Sequence, residues 1–315
     1  MEQTLSKSMI ENKLALRGLF GQSVDFYTKD VQLAGFDACI CMFEGLSSLE
    51  KLWIMMLEMA SKINQPIQTP QQLYDFLLCQ TAIPMETKNV TCLSDAQTYL
   101  TAGMTVFLID GVDRGLVIST QSMQFRSINE PSGEGNLRGS REGFIEPLRV
   151  NISLIRRLIR SDSLRIETMT AGERTKTEIA LCYDVKLCPS NLLNYTKSQL
   201  EQVEIPVLLD SGYLIPFLGR KGFRFFSGVG YTERPDRAVA KICEGKIVVL
   251  VNGSPFALVL PWLFYENFQS MDDYSSKAYF ASFIRLLKYV AFFIAILLPG
   301  IFVAAAGYTP ELFPP

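Results

Sequence analysis

Apolar positions along this chain change period several times, and each change marks an element. A polar, capped lead-in opens a helix near the N-terminus, and "SVDFYTKDVQL" follows as a strand. "DACICMF", Asp37 to Phe43, reads as a buried strand. Gly45 ends it, and "SSLEKLWIMMLEMASKI" places apolar residues at helical spacing behind serines suited to an N-cap. A second helix runs from Gln71 to Leu78 after Pro70. "MTVFLIDGVDRGLVIST", Met104 to Thr120, sets two apolar runs around Asp110-Gly111, which is a hairpin pattern.

The second half repeats that order. "TEIALCYD" is a strand, "PSNLLNYTKSQLEQV" a helix opened by Pro189-Ser190, and "KIVVLVNGSPFALVLP" a hairpin around Asn252-Gly253. Ala38 corresponds to Ile179 and Gly111 to Gly253, at offsets of 141 and 142 residues. The pattern predicts an α/β protein of two related subdomains, with mixed sheets flanked by helices. Residues 1–127 form the first and 174–270 the second, joined by a Gly/Arg linker and helix over 128–173.

Beyond them the pattern changes again. "YVAFFIAILLPGIFVAAA", Tyr289 to Ala306, is an uncharged 18-residue run. It meets the lower length limit for a helix crossing about 30 Å of hydrocarbon. A juxtamembrane helix over 271–288 carries Arg285 and Lys288 to its edge, so the large N-terminal region is expected on the cytoplasmic side.

Composition removes many chemistries. The chain is 48% apolar, 20% charged and carries a net charge of −2, which suits a full core and disfavours nucleic-acid binding. Its seven cysteines are scattered without a CxxC, and histidine is absent, so neither a zinc site nor a histidine-based triad is available. Cys39 and Cys41 share one strand face and read as core. The stretch "PSGEGNLRGSREG" lacks the Walker lysine and reads as a linker entering a helix. Between Arg138 and Lys176, nine basic and five acidic side chains interleave with apolar ones, as on an amphipathic helix and at ion-paired contacts. No cofactor, metal or catalytic group is expected.

Five ordered blocks carry a resemblance. They are "GSREGFIEPLRVNISLIRRLIR", "GERTKTEIALCYD", "LLDSGYLIPFL", "YTERPDRAVAKICEGKIVVLVNGSPFALVLP" and "DDYSSKAYFASFIRLLKY". Together they resemble the A subunit of the GerA family of spore germinant receptors. That resemblance implies two α/β subdomains ahead of a membrane region, in the inner spore membrane. It implies an integral-membrane B subunit and a lipoprotein C subunit as partners, with A subunits forming a homo-oligomer. It also implies a role in coupling nutrient sensing to ion release. Family members continue through further spans, whereas this sequence stops at "AGYTPELFPP", so conduction by this stretch alone is not expected.

Within those blocks, Arg141, Glu142, Glu146, Arg174 and Lys176 are expected at subdomain or subunit contacts. Glu233, Arg234 and Asp236 join them, with "YTERPD" capping a helix from Arg237 to Cys243. Two other readings stay open: a membrane-tethered solute- or nucleotide-binding module, and an interaction scaffold.

Overall fold

In the computed structural model, which describes residues 3–62, 67–79, 86–122, 134, 140–219, 226–269 and 277–308, the two hairpins lie in separate sheets. The first sheet holds β1 (Phe26–Leu33), β2 (Phe36–Phe43), β3 (Thr87–Val90), β4 (Thr105–Ile109) and β5 (Gly115–Ile118), in the order β1-β2-β4-β5-β3. The second holds β6 (Leu164–Ala171), β7 (Thr177–Asp184), β8 (Gly230–Thr232), β9 (Ile247–Val251) and β10 (Ala257–Leu260), in the order β6-β7-β9-β10-β8. The two topologies are the same.

Every strand pairing among the described residues is antiparallel, which corrects the expectation of mixed sheets. A single helix between β2 and β4 would return the chain parallel. Here the connection holds α2 (Leu49–Lys62), α3 (Pro70–Cys79), β3 and α4 (Leu93–Thr101), so the chain reverses once more.

Both faces of the first sheet are covered, which is why Ala38 to Phe43 are apolar throughout, while Asp37 ahead of them is exposed. Cys39, Cys41, Phe43, Val106 and Leu108 pack under α1 (Met9–Phe20) and α4. Ala38, Ile40, Met42, Phe107 and Ile109 pack with residues of α2 and α3. In the second sheet, Ile179, Leu181 and Val249 pack with residues of α6 (Ser190–Glu201) and α7 (Ile215–Leu218). Its other face meets α5 (Leu148–Leu158) and α8 (Pro235–Cys243).

The repeat extends to hydrogen bonds. Ala38 stands opposite Ile109 and Ile179 opposite Val251, matching the sequence offsets. At the first hairpin, Asp110 Oδ1 accepts from Met9 N at 3.1 Å; at the second, Asn252 Oδ1 accepts from Leu148 N at 3.1 Å. Gly111 N donates to Lys7 O, and Gly253 N to Glu146 O, both at 2.8 Å. These turns need φ of +89° and +91°, which glycine adopts without a Cβ penalty. Asn12 clamps the backbone of Ser6 from both sides, as Asn151 clamps Ile145.

Helix α5 is thus the counterpart of α1, and β6 of β1. The part of 128–173 that was expected as linker and helix supplies the first helix and edge strand of the second repeat. The cause is the apolar stripe Leu148, Ile152 and Ile155, which is buried on the second sheet.

The compact unit holding both sheets ends at Pro261, and residues 262–315 belong to a second unit. In that unit α9 (Ala278–Tyr308) is one continuous helix with Pro299 inside it. The expected separation of juxtamembrane helix and span is therefore absent from 278 onward, while 271–276 lie outside the described residues. Tyr279–Tyr308 is the one helix among the described residues long and apolar enough to cross a membrane.

Replacing either clamp, Asn12→Leu or Asn151→Leu, strands a half-buried amide and carbonyl. Each should cost about 1–3 kcal/mol in thermal denaturation, and the two losses should be similar. A second test concerns Glu167. Burial raises its pKa, but hydrogen bonds from Lys197 and Tyr183 outweigh that and hold it below the usual carboxylate range. A depressed folded-state pKa gives stability present above the unfolded-state value and lost as pH falls through the folded-state one. Lys197→Met should therefore reduce the loss of stability on acidification, measured as Tm against pH below 5 (about one unit above an unperturbed glutamate).

Candidate functional site

The two repeats meet where "GQSVDFY" leaves α1. Val24 N donates to Ile166 O at 3.0 Å, and Ser23 Oγ accepts from Ile166 N at 3.1 Å, so the segment before β1 lies against β6. Arg165 Nη2 donates to Leu19 O at 2.9 Å. Gly21 is required beside it: φ is +60°, and a Cβ would stand 2.6 Å from Arg165 Nε.

Beneath this contact lies a buried charge pair. Arg156, in the last turns of α5, is 0% exposed and Asp25 1%. The guanidinium donates through Nε to Asp25 Oδ2 at 2.6 Å and through Nη2 to Oδ1 at 3.0 Å. Its Nη2 also reaches Ser23 Oγ at 2.9 Å, and Ser23 Oγ donates to Asp25 Oδ1 at 2.7 Å. The Leu164 carbonyl accepts at 3.3 Å, and the Phe43 ring lies 4.6 Å from the guanidinium carbon. This is a bidentate pair whose remaining polar atoms are also bonded. Burial, and secondarily the Asp25 charge, push the neighbouring Cys182 thiol far up, so it is held as a neutral thiol.

Along the same seam runs a cleft of about 570 Å³, lined by Tyr27, Met42, Ser48, Leu49, Arg149 and Ser153 among others. Arg149 bridges the repeats across its rim, at 3.4 Å from Glu44 and 2.9 Å from Glu178. The backbones come close here: Gly45 has φ of +81°, and a Cβ on it would meet Ser153 Cβ at 2.8 Å. Hydroxyls, one guanidinium and apolar walls can hold a polar solute by hydrogen bonds. No group of three or more metal-ligating side chains occurs among the described residues. Cys39 and Cys41 are core residues with sulfurs 3.9 Å apart, and their contact and burial hold the Cys41 thiol well above its ordinary pKa.

The sequence-expected contact residues fall elsewhere. Glu142 pairs with Arg157 and braces the entry to α5. Glu146 and Glu233 contribute backbone carbonyls, to Gly253 N at 2.8 Å and Phe144 N at 2.7 Å. Arg234 is buried at the start of α8 and pairs with Asp236 at 2.6 Å. That helix begins at Pro235, two residues earlier than expected. Arg174 and Lys176 are exposed on the turn joining β6 to β7, and Arg141 is exposed in the other compact unit. In that unit Lys288 Nζ donates to Phe268 O at 3.2 Å, and Arg285 stands one turn before it on α9.

Ser23, Asp25, Arg149, Arg156 and Arg165, which make the seam, were not singled out by sequence. Arg156 had a readable signal. It lies four residues after Ile152 and eight after Leu148, on the apolar stripe itself.

Asp25→Ala leaves Arg156 buried without a counter-charge and should destabilise by about 3–5 kcal/mol in urea titration. Adding Arg156→Met should restore part of that loss. The exposed change Arg174→Glu should stay within about 0.5 kcal/mol.

Comparison with known proteins gives a consistent set of likenesses. The family described as Bacillus/Clostridium GerA spore germination protein matches residues 15–315. Spore germination protein KA of Bacillus subtilis (strain 168) is 40% identical over 215 residues, covering 68% of this chain and 40% of that protein. Spore germination protein B1 of the same organism is 32% identical over 314 residues, covering 98% of this chain and 64% of that protein. The chain thus spans between 40% and 64% of the length of these two relatives. The crystal structure of the N-terminal domain of the A subunit of the Bacillus megaterium spore germinant receptor GerK3 superposes with a TM-score of 0.65. It is 22% identical, and the match covers 84% of this chain and 98% of that one. At that identity the likeness is one of fold.

Proposed function

This chain belongs to the Bacillus/Clostridium GerA spore germination family, and from that premise we propose that it acts as a germinant receptor A subunit. In this reading it couples nutrient sensing to ion release across the inner spore membrane, making and breaking no covalent bond. Its partners are an integral-membrane B subunit, a lipoprotein C subunit and further copies of itself. α9 enters the bilayer, and Arg285 and Lys288 ahead of its uncharged part keep the two repeats on the cytoplasmic, spore-core side. The observation that carries the proposal is the family match over residues 15–315, together with two interlocked repeats followed by a long apolar helix.

Arg174 and Lys176, exposed on the β6–β7 turn, are available to a neighbouring subunit. Arg174→Glu in the full-length subunit, expressed as the only receptor of its type, should lower nutrient sensitivity of ion release about five-fold or more. An unchanged response at normal receptor abundance would remove that role from Arg174. A normal response after deletion of the whole subunit would remove the functional reading.

The seam cleft supports a second reading, a solute-binding module. A ligand that occupies it and does not bind the unfolded chain raises the melting temperature, with a stabilisation that grows as the logarithm of one plus the ratio of free ligand concentration to Kd. Screening small polar solutes against the protein and its Arg149→Ala variant separates the two: a shift lost in the variant favours binding, and no shift favours pure coupling.

A further inference from the structure

The segment between β10 and α9 folds back on the helix. Residues Phe264–Phe268 form a 3-10 turn, closed by Glu266 Oε2 accepting from Leu263 N at 2.8 Å. Trp262 Nε1 donates to Asn267 Oδ1 at 3.0 Å, and Asn267 Nδ2 to Phe264 O at 2.9 Å. Phe268 packs on Tyr289 with ring centres 4.4 Å apart and planes tilted by 40°, and meets Phe292 edge-on at 5.3 Å. Phe264 meets the same Phe292 at 5.7 Å. Lys288, donating to the Phe268 carbonyl, holds the turn at the same level of the helix.

That level has a physical meaning. Lys288 is the last charge before the uncharged run from Tyr289 to Ala306. At 1.5 Å per residue the run is about 27 Å long, close to the thickness of the hydrocarbon layer. A turn packed side-on against Tyr289 and Phe292 therefore lies at the layer's edge. What it turns outward there is apolar: Leu263 is 44% exposed, Phe264 38% and Tyr265 44%. In water three adjacent side chains of this kind are a cost, whereas at the headgroup level aromatic rings are favoured.

We propose that the turn of Leu263, Phe264 and Tyr265 is an interfacial anchor that inserts between headgroups and acyl chains, in the leaflet entered by the Lys288 end of α9. The inference rests on the reading of α9 as a membrane span. It adds a second point of attachment, which sets the depth and rotation of that helix. Lipid is the occupant because the turn continues the surface of the apolar helix at the depth where its charges end.

Spin labels test the depth. Leu263→Cys and Tyr265→Cys chains are labelled in vesicles of phosphatidylethanolamine and phosphatidylglycerol, with the unsubstituted chain measured to subtract native cysteines. Collision with oxygen reports lipid, and collision with a water-soluble nickel complex reports solvent. Ile301→Cys marks the hydrocarbon, and Lys186→Cys, whose parent side chain is 66% exposed, marks water. The expected oxygen-to-nickel ratio at 263 and 265 is several-fold above that at 186 and below that at 301. A ratio equal to that at 186, with 301 still in lipid, overturns the anchor alone. Exclusion of both reagents at 263 and 265 also overturns it, since the turn would then be covered by protein. If 301 itself matches 186, the span reading fails and the anchor with it.

Discussion

The region that holds both sheets depends on a buried contact between Asp25 and Arg156, groups 131 residues apart in sequence. Each sheet has its own core, so nothing in their separate packing requires one orientation between them. The charge pair does. Taking two ions out of water is costly, and the attraction between them offsets that cost only with good geometry and all remaining donors satisfied. Ser23, the Leu164 carbonyl and the Phe43 ring meet those conditions. The net stabilisation of such a pair is small, while the penalty for misplacing one partner is several kcal/mol. It acts by excluding other arrangements. Val24, bonded to Ile166 beside it, adds a backbone contact that holds the same arrangement of the two repeats.

The duplication shows how this interlock arose from shared parts. Arg17 and Arg156 occupy equivalent positions in α1 and α5, each directly after a fully buried residue, Leu16 or Ile155. Arg17 is exposed and bonds Thr28 Oγ1 at 2.6 Å on its own repeat. Arg156 reaches across to the other repeat. The same residue on the same helix face is a surface contact in one copy and the central joint in the other. The hairpin anchors diverged less, since Asp110 and Asn252 each accept a bond from the start of the first helix of their own repeat.

The long helix and the turn packed on it obey a separate logic. Within that unit, aromatic contacts between Phe264, Phe268, Tyr289 and Phe292 do the work that apolar stripes do in the sheets. Pro299 is accommodated in a continuous helix, as is common in apolar segments where neighbouring groups satisfy the freed carbonyl.

Local pattern determined β1, β2, β4, β5, β7, β9 and β10, most helices, both hairpins, their repeat offsets and the apolar C-terminal segment, because period and turn chemistry are properties of neighbouring residues. The strands β3, β6 and β8 were not read from it. It also placed Cys39 and Cys41 in the core and limited the chemistry by the absence of histidine. Strand direction needed the tertiary structure, since a connection of three helices and a strand can return either way. So did the boundary of the second repeat: an arginine-rich amphipathic helix looks the same as a linker or as a sheet cover. The joint itself was decided only in space. Arg141, Arg156, Arg157, Arg165 and Arg174 are indistinguishable by composition, and burial of Arg156 alone among them at 0% exposure follows from Asp25 standing opposite it. That pairing brings together residues from distant parts of the chain, and no local rule encodes it.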